Sequence, residues 1–155
     1  MNIKETLLSV NPKIETFIKN GKQAIKSEYQ NKLSASNSKI FKFSIDLEDF
    51  YKSLKEKGNY WDYLIVILQT NEIEKAIYIE FHPAENNKNI KEIIAKLKWL
   101  EIKANELELK KYSQKRFWIA SGKVTIPANT KERKQLALLG ISKVHERITN
   151  IDKMP

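Results

Sequence analysis

Cysteine is absent from the 155 residues, which excludes disulfides and thiolate metal sites. A chain without cysteine suits a reducing compartment, and a cytoplasmic location is expected. Glycine is scarce, with four residues, so no Gly-rich phosphate loop can be assembled, and no Gly-x-Ser-x-Gly elbow occurs. The two histidines, His82 and His145, are too far apart for the helical pair of a metalloprotease. No apolar run is long enough to span a bilayer, and the opening MNIKETLLSV lacks the apolar core of a signal peptide, so no membrane association is expected. Arginine is rare as well: 25 of the 28 basic residues are lysine.

What is present is positive charge. Against 19 acidic residues the 28 basic ones leave a net charge of +9. That balance favours polyanions: nucleic acid, an anionic membrane surface or an acidic protein; a lysine-rich composition alone would produce it too. The length and an apolar fraction of 41% suit one domain with a real core. A single domain over 1–155 is expected, with its core at about 40–140, a helical segment at 1–33 and a tail at 141–155. No internal repeat and no long linker appears.

Asn11-Pro12 reads as a helix start, a capping residue before proline, with Ile14, Phe17 and Ile18 as its apolar stripe. Gly21 breaks or bends that helix, and Ala24, Ile25 and Tyr29 continue it. Ser34–Ser38 is a loop and Ile40–Ile45 a short strand. Asp46 caps a helix to Lys57, with Leu47, Phe50, Tyr51 and Leu54 on one face, ended by Gly58-Asn59. The clearest helix starts near Asn89, where Glu92 makes a capping-box pattern; its stripe runs from Ile90 to Leu107. Arg116–Pro127 reads as one strand or two short ones. Asn129 with Glu132 opens a last helix stopped by Gly140, and the tail carries no pattern. The fold class is α/β (α+β), a small mixed central sheet flanked by helices.

The stretch Tyr60–Pro83, YWDYLIVILQTNEIEKAIYIEFHP, concentrates the chemistry. Leu64–Leu68 is an unbroken apolar run, as in a strand covered on both faces. Asn71, Glu72 and Glu74 interrupt it, which predicts a turn. From Ala76 to His82 a period of two puts Ile77, Ile79 and Phe81 on one face and Tyr78, Glu80 and His82 on the other. Glu80 and His82 therefore point the same way, beside a strand that opens with Asp62. A buried carboxylate is costly unless paired or bound to a cation, which marks this stretch as the candidate site. The same residues have plain structural uses: Asp62 as a strand cap, Glu80 in an ion pair, His82 bonded to loop backbone.

From Asp46 to Ile126 the order of elements, with Asp62 and the Glu80-x-His82 pattern, resembles the PD-(D/E)XK nuclease superfamily and its restriction-endonuclease-like core. Asp62 matches the motif's aspartate and Glu80 its acidic residue. Trp61 stands in place of proline and His82 in place of lysine. The resemblance implies a metal-dependent nuclease, with Asp62 and Glu80 as ligands of Mg²⁺ or Mn²⁺ and Glu48 as a third acid from a helix. Such an ion lowers the pKa of a bound water and shields charge on phosphate. His82 would act as base or charge-supplying group, or Lys96, Lys98 or Lys123 would bring the missing ammonium.

A second feature is Lys110–Lys123, where cations alternate with Tyr112, Phe117 and Trp118. Lys96, Lys110, Lys111, Lys115, Arg116 and Lys123 are the candidate nucleic-acid contacts, Arg116 foremost because its guanidinium can hold two phosphate oxygens. The competing readings are a non-catalytic nucleic-acid-binding module with a degenerate site, or a protein-interaction module such as an immunity protein set against an acidic toxin. A homodimer is compatible with each.

Overall fold

The computed structural model describes residues 1–69 and 72–154. In order the chain forms α1 (Ile3–Val10), β1 (Ile18–Asn20), α2 (Ser27–Gln30), β2 (Phe41–Asp46), α3 (Leu47–Ser53), β3 (Tyr63–Leu68), β4 (Glu74–Ala84), α4 (Asn87–Glu106), β5 (Ser113–Val124), α5 (Lys131–Leu138) and β6 (Val144–His145). The six strands make one sheet in sequence order. β1 to β4 pair antiparallel, as short connections allow; β5 and β6 add in parallel, each reached through a crossover helix. The architecture is therefore α/β, a mixed sheet flanked by helices. Among the described residues no helix is long and apolar enough to cross a membrane.

Strand alternation sorts the core into two layers. Val66, Ala76, Tyr78 and Trp118 face α1, α3, α4 and α5. Ile65, Ile67, Ile77, Ile79 and Ile119 face the other way. Among the described residues no long helix lies over that second face. Residues 22–35 and 148–154 cover it instead, with Ile25, Leu33, Ile148 and Ile151 buried. Backbone bonds tie the two segments together: Ser34 N donates to Ile148 O, and Ile148 N to Lys32 O. A bulge between Phe41 and Phe43 breaks the alternation in β2, so the two rings enter opposite layers.

Several expectations need correction. The helix placed after Pro12 is a 3-10 segment, Pro12–Phe17, running straight into β1, while a helix unforeseen in the sequence, α1, precedes it with Asn2 as cap. α3 stops at Ser53, short of Lys57. α4 begins at Asn87, where Asn86 and Asn89 form the capping box in place of Asn89 and Glu92. Thr130, not Asn129, caps α5. Buried Ile3, Leu7, Ile14, Ile141 and Ile148 carry the core beyond residues 40–140 at both ends, and the patternless tail contributes a strand. Asn71 of the predicted turn, and Pro155 at the end of the tail, lie outside the described residues.

Candidate functional site

The ladder between β3 and β4 ends at the pair Tyr63 and Ile79. Beyond it, the N–H groups of Asp62 and Phe81 have no strand partner across this gap. Each is taken by a carboxylate from the opposite strand. Asp62 N donates to Glu80 Oε1 at 3.0 Å, and Phe81 N donates to Asp62 Oδ2 at 2.9 Å. The two acids are thereby held together at the end of the sheet by backbone donors that need them. Glu80 is 1% exposed.

Alternation turns Glu80 and His82 toward α4, and α4 answers with Lys96 and Glu92, one helical turn apart on the border of its apolar stripe. Lys96 Nζ lies 2.7 Å from Glu80 Oε2. His82 Nδ1 lies 3.4 Å from the same oxygen, and His82 Nε2 lies 3.4 Å from Glu92 Oε1. Both are ion-pair distances and not hydrogen bonds, and Nε2 is buried without a hydrogen-bond partner. Trp118 Nε1 donates to the His82 carbonyl at 3.0 Å and pins this end of β4 to β5.

Burial, and then the neighbouring charge of Glu80, push the Asp62 carboxyl up to about 7, against the opposing pull of the Phe81 N–H and Lys96. Asp46 adds to the repulsion on Asp62 and is itself raised, first by burial. Burial pulls the His82 imidazole down, but the Glu80 and Glu92 carboxylates outweigh it and leave the ring above its ordinary value.

Of the acids expected here, Asp62 and Glu80 meet. Glu48 does not join them: it sits on the exposed side of α3 and pairs with Lys52 at 3.4 Å. The third acid near the pair is Asp46, whose cap on Asp49 N was its only visible role in the sequence. Glu92 was hidden the same way, as a supposed capping residue. With Asn89 serving that cap, Glu92 accepts from Asn89 Nδ2 and reaches His82.

The expected phosphate contacts scatter. Lys96 belongs to the acid pair. Arg116 forms an ion pair with Glu101, so the guanidinium expected to grip phosphate is already engaged. Lys110 also reaches Glu101, at 3.6 Å, and Lys111 lies over the Tyr112 ring. Lys98 and Lys123 are exposed and take no part in the acid cluster. Lys115 is half-buried and lines a cavity with Lys143. Phe117 and Trp118 are core side chains, in opposite layers.

Among the described residues no group of three or more His, Asp or Glu side chains converges as a metal cage. The donor set that does converge is two hard carboxylates. Asp62 Oδ1 has no hydrogen-bond donor among the described residues, and Glu80 Oε2 faces Lys96. Those two oxygens are hard donors of the kind that a small divalent ion keeping most of its waters takes, and the raised Asp62 carboxyl is what a cation there would lower. No family model, curated protein sequence or solved structure matches this chain.

Proposed function

We propose that the protein is a metal-dependent nuclease acting on nucleic-acid phosphodiesters through a PD-(D/E)XK-like site formed by Asp62, Glu80 and Lys96. The observation that carries this reading is the pair of carboxylates held together from adjacent strands, with an ammonium 2.7 Å from the buried one. An amide in place of one of the two repelling acids would still accept its backbone N–H without the repulsion, so the second charge supports a use beyond the fold. Asp62 Oδ1 and Glu80 Oε2 would hold Mg²⁺ or Mn²⁺. The ion would supply charge compensation on the phosphate and a more acidic water.

Lys96 takes the place of the motif's lysine, which His82 occupies in the sequence. It is nearer to Glu80 than the imidazole is, and an ammonium gives the phosphate a charged donor. His82 orients Glu80 through Nδ1. Because Nδ1 faces a carboxylate, Nε2 is the nitrogen left to accept a proton in the neutral ring; movement of the half-exposed Glu92 side chain would open it to a water.

A non-catalytic nucleic-acid-binding module is the second reading. It is favoured by both Glu80 oxygens already having donors and by the lack of a three-ligand cluster among the described residues. Thermal shift with Mn²⁺ and Mg²⁺, together with cleavage of single-stranded and duplex DNA and RNA, separates the two. The nuclease reading expects Mn²⁺ to raise the melting temperature of wild type but not of Asp62→Asn, and Glu80→Gln to abolish cleavage while remaining folded. Salt-dependent binding indifferent to either metal, with no cleavage, would establish the second reading.

A further inference from the structure

At the β5–β6 edge of the sheet a second set of like charges gathers, this one positive. Gly140, with φ +100, ends α5 in a backbone region open to glycine. The turn brings Ile141–Lys143 alongside the start of β5. Between them lies a cavity of about 290 Å³, with Lys115, Arg116, Phe117, Ser142, Lys143 and His145 among its lining residues. No Asp or Glu of the described residues lines it.

Arg116 is held by Glu101, but among the described residues no acid pairs with Lys115, Lys143 or the neighbouring Lys75. Lys75 is only 6% exposed, and burial together with the charge of Lys115 lowers its amine. Burial and then Lys143 lower the His145 imidazole, which packs edge-on against Phe117 with ring centres 5.8 Å apart. Three ammonium groups and an imidazole thus gather in and beside a small cavity without a counter-charge. Such clustering is unfavourable until an anion enters. Two lysines as point charges, a serine hydroxyl and an imidazole N–H are donors suited to the several oxygens of a phosphate.

We propose that this cavity is a phosphate-binding site occupied by a backbone phosphate of a nucleic acid, with Lys115 and Lys143 as its charged contacts and Ser142 and His145 as its neutral donors. The phosphate itself follows from the cavity; its nucleic-acid source rests on the reading proposed above. The site widens the interface from the acid pair on β3 and β4 to the far edge of the sheet.

The two histidines make the test specific, because His145 reports this cavity and His82 the acid pair. Isotope-labelled protein in EDTA is titrated with inorganic phosphate, then with 5′-hydroxyl and 5′-phosphorylated oligonucleotides, following both imidazoles by NMR. The expected result is a saturable shift of His145, with His82 unmoved by inorganic phosphate. The double variant Lys115→Ala/Lys143→Ala should lose that shift, and the slope of log affinity against log salt should fall by about 1, as for one phosphate. Lys115→Arg/Lys143→Arg should restore both. Oligonucleotide binding by the Ala variant with wild-type affinity and slope would overturn the site while leaving the nucleic-acid reading standing. Saturable phosphate binding at His145 without oligonucleotide binding would keep the cavity and overturn its nucleic-acid occupant. Preference for the 5′-phosphorylated strand would assign a terminal phosphate, and equal affinity an internal one.

Discussion

Replacing the Asp62 carboxylate by an amide should stabilise the protein above neutral pH. Asp62 ionises at about 7 in the folded chain against 3.8 for an ordinary aspartate, because it is buried and faces Glu80. The folded state therefore binds an extra proton between these values, and stability falls as pH rises through that window. At about 1.4 kcal/mol per pKa unit the full loss is about 4.5 kcal/mol, and the carboxyl's remaining contact with water reduces the expectation to about 2 kcal/mol. The substitution Asp62→Asn would keep an acceptor for Phe81 N and remove the charge. Urea unfolding of both proteins at pH 4, 6 and 8 measures the difference. The variant should match wild type near pH 4, below which the wild-type carboxyl is protonated in both states. It should exceed wild type by about 2 kcal/mol at pH 8, or about 4–8 °C in Tm. A difference that does not change with pH, or a variant less stable at pH 8, would refute the claim that the two acids repel each other in the fold.

Lys96→Met should cost about 3–5 kcal/mol at neutral pH, since it strands the Glu80 carboxylate in a site 1% exposed. Adding Glu80→Gln should recover most of that loss in the same unfolding assay, whereas a merely structural packing role for Lys96 would leave the double variant no better than the single one. Gly58→Ala tests the other end of α4. A Cβ at Gly58 would lie 2.7 Å from Trp99 Nε1, and the indole is wedged edge-on between Tyr51 and Tyr60. A cost of about 1–3 kcal/mol and altered tryptophan fluorescence are expected; an unperturbed spectrum would show that the ring has room to move.

How much of the site could be read in advance depends on the kind of contact. Period two in Ala76–His82 was enough to put Glu80 and His82 on one face, and the opposite layers of Tyr78 and Ile79 follow the same rule. That Asp62 meets Glu80 depends on the register Tyr63 to Ile79, which follows once the hairpin is assumed. Lys96 was one of three lysines that could reach, and only the rotation of α4 against the sheet selects it. Asp46 and Glu92 each had a local capping explanation that sufficed in one dimension and concealed their neighbours in three.

Alternation and apolar stripes are local properties, and they were enough to indicate helices flanking a mixed sheet, with Glu80 and His82 on one face of a strand. The ends of the chain were decided elsewhere. Residues 22–35 and 148–154 form almost no regular structure, so no periodicity marks them, yet they bury one face of the sheet through contacts more than a hundred residues apart. The same holds for the charges. Arg116 and Lys115 are adjacent and alike in sequence and both line the same cavity, but Arg116 is paired with Glu101, while among the described residues no acid pairs with Lys115. Which cation is neutralised and which is without an acid is set by what packs across from it, and only the tertiary structure supplies that neighbour.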